Sequence, residues 1–60
     1  MHIKEAREKS GMSQQALADA LNITQGAISQ WEKGDSAPRA NKLVQLAQIL
    51  GCTVDELLRG

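Results

Sequence analysis

The chain has 60 residues, of which seven are basic and seven acidic, so its formal net charge is zero. That length allows one small domain. The 42% apolar share contains no Phe and no Tyr, which favours packed helices over sheet. No apolar run approaches the ~20 residues of a membrane span, and residues 1–10 carry no apolar signal-peptide core. We therefore expect a cytoplasmic protein without membrane contact.

Start and stop signals divide the sequence into five short helical segments. The first covers about Ile3–Ser10 and precedes Gly11, which suits the left-handed residue that ends many helices. The other four are predicted at 14–21, 25–33, 40–50 and 54–58. Three of these follow a hydroxyl residue that can accept hydrogen bonds from free helix amides: Ser13, Thr24 and Thr53. The expected fold is all-α, a compact bundle of five short helices that forms one domain over 1–60.

Further signals refine these segments and predict the core. Asn22 tolerates the left-handed conformation of a tight turn, and glycines follow the third and fourth segments. Thr53 and Glu56 have the spacing of a capping box. Apolar residues at helical spacing predict the core: Leu17, Leu21, Ile23, Ile28, Trp31, Leu43, Leu46, Ala47, Leu50, Val54 and Leu57.

Residues 14–32 have the pattern of a helix-turn-helix, two short helices joined by a tight turn. The second of these helices keeps its large apolar residues on one side. The other side carries Gln25, Gly26, Ser29, Gln30 and Lys33. Glutamine can form paired hydrogen bonds with adenine in the major groove, which admits one helix. Gly26 permits close approach but reads nothing itself. The alternative interpretation is that these are ordinary solvent-facing residues.

The whole pattern resembles the Cro/phage-repressor helix-turn-helix family, also called the XRE family, from about Ile3 to Gly60. Each matching residue is a weak signal, but their order and spacing together are specific: Arg7, Gly11, Ser13, Gln14, Leu17, Ala18, Leu21, Ile28, Glu32, Gly34, Pro38, Leu43, Ala47, Leu50 and 55–58. The run AISQWE at 27–32 is especially similar to lambdoid phage repressor domains. The resemblance implies a lambda-repressor-like DNA-binding domain of bacterial or phage origin, with the third helix in the major groove.

The resemblance also implies roles for individual residues. The residues implied to read bases are Gln25, Gly26, Ser29 and Gln30, with Gln25 as the leading candidate. The residues implied to contact phosphates are Ser13, Gln14, Lys33 and Arg39, with Lys42 as a weaker candidate. Ser13 and Gln14 lie at a helix N-terminus, where free amides favour an anion. Arg7 is expected to pair with Glu32, which would tie the first helix to the end of the third.

Two positions depart from the family pattern. Relatives often carry a base-contacting side chain at the position of Gly26, and they are often basic near Asp35. We therefore expect one base contact fewer and weaker phosphate affinity. Charge placement favours DNA all the same, because Lys33, Arg39 and Lys42 follow the third helix.

The predicted function is sequence-specific binding of double-stranded DNA by a transcriptional repressor. We expect a homodimer on a two-fold operator, and a dimer that forms only on DNA is an alternative. Such a dimer would place its half-sites about one helical turn apart. The chain is compatible with a complete Cro-like protein and with the N-terminal domain of a longer regulator.

Other functional classes are less well supported. An antitoxin would usually carry a toxin-binding segment, and none is visible in the sequence. A protein-interaction module that retains the fold is favoured only by the neutral net charge. We expect no enzyme, cofactor, metal or small-molecule substrate, because His2 is predicted to be solvated at a frayed terminus and Cys52 to be a buried small hydrophobe.

Overall fold

The computed structural model describes residues 1–59, and this part of the chain contains five α-helices. Their bounds are α1 (Ile3–Lys9), α2 (Gln14–Leu21), α3 (Gln25–Lys33), α4 (Ala40–Leu50) and α5 (Val54–Leu58). The predicted all-α fold is confirmed, and only α1 ends one residue earlier than expected, because Ser10 is its C-cap. Gly60, which closes the predicted domain and the resemblance, lies outside the described residues. Within 1–59, no helix is long and apolar enough to cross a membrane.

The first four helices all end by reversing the chain through a residue with φ between 57° and 83°. These residues are Gly11, Asn22, Gly34 and Gly51. In each case the N–H of the following residue returns to the carbonyl five positions earlier, at 2.9–3.2 Å. This Schellman geometry satisfies carbonyls that would otherwise lack a donor. Three of the four following residues are apolar and pack against the core: Met12, Ile23 and Cys52.

The three predicted N-caps are confirmed. Ser13 Oγ accepts from the Ala16 amide at 3.0 Å, and Thr24 Oγ1 accepts from the Ala27 amide at 3.2 Å. Thr53 and Glu56 form the full capping box. These caps set the first residues of α2 and α3, and therefore place the half-buried Gln14 and the exposed Gln25 at the starts of those two helices.

The core contains apolar residues from all five helices. Its buried members are Ile3, Leu17, Ala18, Leu21, Ile28, Leu46, Ala47, Leu50 and Leu57. Trp31, predicted to point into the core, is only half-buried and packs against its edge. Cys52 is half-buried as well, and burial raises the pKa of its thiol. The neutral thiol agrees with its predicted character as a small hydrophobe.

The N-terminus differs from expectation. The His2 backbone N–H donates to the Leu57 carbonyl at 2.9 Å, so the predicted fraying is wrong at this residue. The imidazole Nδ1 lies 3.0 Å from Glu5 Oε2, with the His2 side chain 44% exposed. The end of α5 lies beside the start of α1 and supplies the carbonyl that accepts from the His2 backbone N–H. Sequence spacing does not reveal this contact.

An ion pair between Arg7 and Glu32 joins α1 to α3. Arg7 Nε donates to Glu32 Oε2 at 2.6 Å, and Arg7 Nη2 donates to Glu32 Oε1 at 3.2 Å. A third Arg7 nitrogen, Nη1, donates to the Met12 carbonyl at 2.8 Å. The two side chains are only 11% and 5% exposed. The pair therefore fixes the end of α3 against both α1 and the loop before α2.

The surroundings of Glu32 keep it ionised. Burial on its own would raise the pKa of this carboxyl, but hydrogen bonds from Arg7 and Gln14 hold it below the ordinary value of 4.5. A carboxyl with a lowered pKa in the folded state stabilises the fold at neutral pH. That contribution is lost as the pH falls below about 4.5 through the folded-state pKa.

Two adjacent leucines of α5 test the core assignment, because Leu57 is 1% exposed and Leu58 is 50% exposed. We expect Leu57→Ala to lower the free energy of unfolding by ~2–5 kcal/mol, through lost burial and a residual cavity. Leu58→Ala should change it by less than ~0.5 kcal/mol. Urea unfolding followed by Trp31 fluorescence measures both, and equal effects would contradict the assignment.

Substitution of Glu32 tests the buried pair. Glu32→Gln should lower the free energy of unfolding by ~3–5 kcal/mol at pH 7, because Arg7 keeps a buried charge without its counterion. The deficit relative to the native chain should shrink below pH 4.5, where the native carboxyl also becomes protonated.

Asp55→Asn provides the matched control for Glu32→Gln. It removes the ion pair between Asp55 and Arg59, whose side chains are 71% and 75% exposed, respectively. This change should alter the free energy of unfolding by at most ~1 kcal/mol. A pH-independent deficit in Glu32→Gln would contradict the role given to the ionised carboxylate.

Candidate nucleic-acid interface

One face of α3 is polar and open to solvent. Gln25, Gly26, Gln30 and Lys33 are exposed and Ser29 is half-buried, whereas Ile28 on the opposite face is fully buried. This division follows from the helical repeat, because residues at i, i+4 and i+8 lie on one side. The face has two amides, one hydroxyl, one ammonium and no acid. The structure therefore brings the predicted base-reading residues together on one surface.

The starts of α2 and α3 are joined by side chains. Gln25 Nε2 donates to Gln14 Oε1 at 3.2 Å, and Gln14 Nε2 donates to Glu32 Oε1 at 3.0 Å. An ionised carboxylate can only accept, so Glu32 turns the NH₂ group of Gln14 inward and its oxygen toward Gln25. Within residues 1–59, Gln25 then keeps its own oxygen and one N–H unused. The link from Gln14 to Gln25 was not predicted from the sequence.

The predicted phosphate-binding residues lie at helix starts and near the end of α3. Ser13 is exposed at the N-cap of α2, where its hydroxyl already serves that helix. Arg39 is exposed at the N-cap of α4 and makes no side-chain capping bond there. Lys33 is exposed in the last turn of α3. Arg39 and Lys33 thus present positive charges to solvent.

Lys42 has an internal partner that the sequence did not indicate. Its Nζ donates to the Leu21 carbonyl at 2.9 Å, and the residue is half-buried. The ammonium therefore satisfies a carbonyl at the end of α2, next to the left-handed Asn22. A phosphate contact from Lys42 stays a prediction, and it would have to share this donor group.

Several acidic side chains of the described residues have an ion-pair or hydrogen-bond partner. Glu32 is neutralised by Arg7, Asp19 accepts from Gln15 at 2.8 Å, and Asp55 pairs with Arg59. Asp35 is exposed just after α3, two residues beyond Lys33. The net charge is zero for the chain as a whole, but the exposed face of α3 itself carries only the positive charge of Lys33.

Comparison with known proteins gives relatives along nearly the whole chain. The HTH-type transcriptional regulator YonR, derived from the SPbeta prophage of Bacillus subtilis, is 40% identical over 97% of this chain. The repressor protein C2 of Salmonella phage P22 is 36% identical over 97%. The chain spans only 54% and 27% of the lengths of these two relatives.

A solved structure supports the same relationship. The crystal structure of the P22 c2 repressor in complex with a synthetic operator superposes with a TM-score of 0.89 at 36% identity. The match covers 97% of this chain and 88% of that one. The family model described as helix-turn-helix matches residues 3–57. The chain therefore belongs to the helix-turn-helix family, in agreement with the resemblance to Cro and phage repressors.

Proposed function

We propose that this chain binds double-stranded DNA sequence-specifically and acts as a transcriptional repressor, with the exposed face of α3 in the major groove. The observation that carries the proposal is this acid-free polar face on a fold that superposes on a repressor–operator complex. The groove is about 12 Å wide and admits one helix. The short α2 and the tight turn at Asn22 leave the start of α3 open to such a partner.

Gln25 is the leading base-reading residue. Its Nε2 gives one hydrogen to Gln14 and keeps the other, while its Oε1 accepts no hydrogen bond within 1–59. An amide with a free oxygen and a free N–H matches the N6 and N7 edge of adenine. The bond to Gln14 holds that amide in place before binding, which lowers the entropy cost of ordering it on DNA.

Phosphate contacts would come from both sides of α3. Ser13 and Gln14 at the start of α2 bring free backbone amides and the helix dipole to one strand. Lys33 and Arg39 bring side-chain charge. If the weaker candidate Lys42 also neutralises a phosphate, each protomer neutralises about three, and a dimer would show a log–log salt dependence of about −5.

A two-fold operator suits a domain this small. A single domain of this class buries too little surface to bind tightly alone. Two copies on half-sites one helical turn apart would double the contact. Leu58, half exposed at the end of α5, is a candidate for the contact between copies, because Leu57 and Val54 pack against the core instead.

Selection from random duplex DNA at fixed, moderate salt tests the proposal. We expect a palindrome with half-sites one turn apart to be enriched. Gln25→Ala should still enrich a palindrome but lose preference at one position per half-site, with a cost of ~1–3 kcal/mol. Gln48→Ala, which removes an exposed amide from α4, should leave the selected sequence unchanged.

The outcomes distinguish the ways in which the proposal could fail. No enrichment by a folded native chain would contradict DNA reading and favour a protein-interaction module. Enrichment that Gln25→Ala does not relax would leave DNA binding standing but remove Gln25 as a reader.

Lys33→Ala tests the phosphate assignment. The variant should bind all sequences more weakly by a similar factor, and the slope of log K against log salt should become about one unit shallower per protomer. Fluorescence anisotropy with the selected site and an unrelated duplex, titrated over a salt series, measures both. A change in sequence preference without a change in slope would show that Lys33 contacts a base instead.

A further inference from the structure

The side chain of Lys42 joins α4 to the end of α2. Its Nζ donates to the Leu21 carbonyl at 2.9 Å. Leu21 is the last residue of α2, and Asn22 after it has φ of 57° and begins the turn to α3. The two backbone N–H groups that follow Leu21 donate to earlier carbonyls of α2. Lys42 therefore supplies the Leu21 carbonyl with a donor from a different helix.

The helix that carries Lys42 is firmly packed. Leu46, four residues further along α4, is fully buried, and Ala47 and Leu50 are 5% and 8% exposed. Residues four apart lie on one side of a helix, so the stem of Lys42 extends along the side of α4 that packs against the core. This agrees with the half-burial of Lys42, whereas Lys33 is exposed. Lys42 thus reaches the turn between α2 and α3 from a helix that is itself anchored in the core.

The hydrogen bond from Lys42 acts on the start of α3. This helix begins at Gln25, four residues after Leu21, and the intervening turn sets the angle between α2 and α3. A bond from an ammonium to a carbonyl at a helix C-terminus is charge-assisted and is favoured by the helix dipole. It therefore orders the turn, and with it the direction in which the polar face of α3 is presented.

We propose that Lys42 is a positioning residue for α3 and does not contact a phosphate. The inference rests on the proposed DNA binding and deepens it, because it assigns Lys42 to specificity instead of electrostatic attraction. By holding the end of α2 to α4, Lys42 fixes α3 at the angle at which its polar face fits the operator. Without that bond the turn would have to be ordered on the operator, which weakens specific binding. Binding to unrelated DNA depends on phosphate charge and would be spared.

Lys42→Met tests the proposal, because it keeps an unbranched stem and removes the donor. We expect the Kd for the selected operator to rise about tenfold, while the Kd for an unrelated duplex stays within about twofold. The slope of log K against log salt should stay at the native value. Lys42→Arg retains a charged donor and should keep the operator Kd within about threefold of the native value. Fluorescence anisotropy over a salt series measures these quantities, at a temperature at which Trp31 fluorescence shows each variant to be folded.

Lys9→Met is the matched control, because it removes the same charge from an exposed position on α1. Lys9 lines a cleft together with Gly51 and Cys52, and no residue of α2 or α3 lines it. Salt screens a charge that lies away from the DNA, so both Kd values should stay within about twofold of native.

The native chain provides a measurement that does not depend on the folding of any variant. With Lys33 and Arg39 as the neutralising side chains, each protomer would contribute about −2 to the slope of log K against log salt. A third phosphate contact by Lys42 would make this contribution about −3 and would overturn the proposal.

The outcomes distinguish this proposal from the one it rests on. Equal weakening of operator and unrelated duplex by Lys42→Met, with a shallower salt slope, would identify a phosphate contact and overturn positioning. A folded Lys42→Met variant with a native operator Kd would overturn it too, since Lys42 would then serve stability alone. DNA binding by the native chain would stand in both cases. A folded native chain that selects no DNA sequence would overturn both proposals together.

Discussion

The carboxylate of Glu32 is the constraint on which the arrangement of the first three helices depends. It accepts two hydrogen bonds from Arg7 of α1 and one from Gln14 of α2, while belonging to α3 itself. A buried ion pair is costly to form, and it is kept only where its remaining groups are satisfied. Here Arg7 also donates to the Met12 carbonyl, so the loop between α1 and α2 is held as well. One charge therefore sets the relative positions of three helices.

That constraint extends to the surface. Because Glu32 can only accept, it orients the amide of Gln14, and the amide of Gln14 in turn orients Gln25. Gln25, the proposed base-reading residue, is thus connected to the buried ion pair by two hydrogen bonds. A change at Glu32 can therefore reach Gln25 through Gln14, which couples stability to the proposed recognition.

The features predictable from the sequence are those set by near neighbours. Caps at Ser13, Thr24 and Thr53, and the left-handed turn at Asn22, depend on residues within one turn. Contacts between Lys42 and Leu21, or Gln14 and Gln25, join residues 21 and 11 positions apart. Such contacts depend on how helices cross, and spacing along the chain carries no signal for that. The Arg7–Glu32 pair was instead predicted from the family resemblance.

On the proposed function, the zero net charge limits the electrostatic part of DNA binding by this chain. Affinity from phosphate contacts grows with the number of counterions released, and few cations lie near the polar face of α3. Recognition must then depend more on short-range contacts, which require close fit and groups ordered beforehand. The hydrogen bond from Gln25 to Gln14 would meet that requirement on the proposed function, because it orders the Gln25 amide beforehand. A protein with weak electrostatic attraction also binds unrelated sequences weakly, so its discrimination between sites need not suffer from the missing charge.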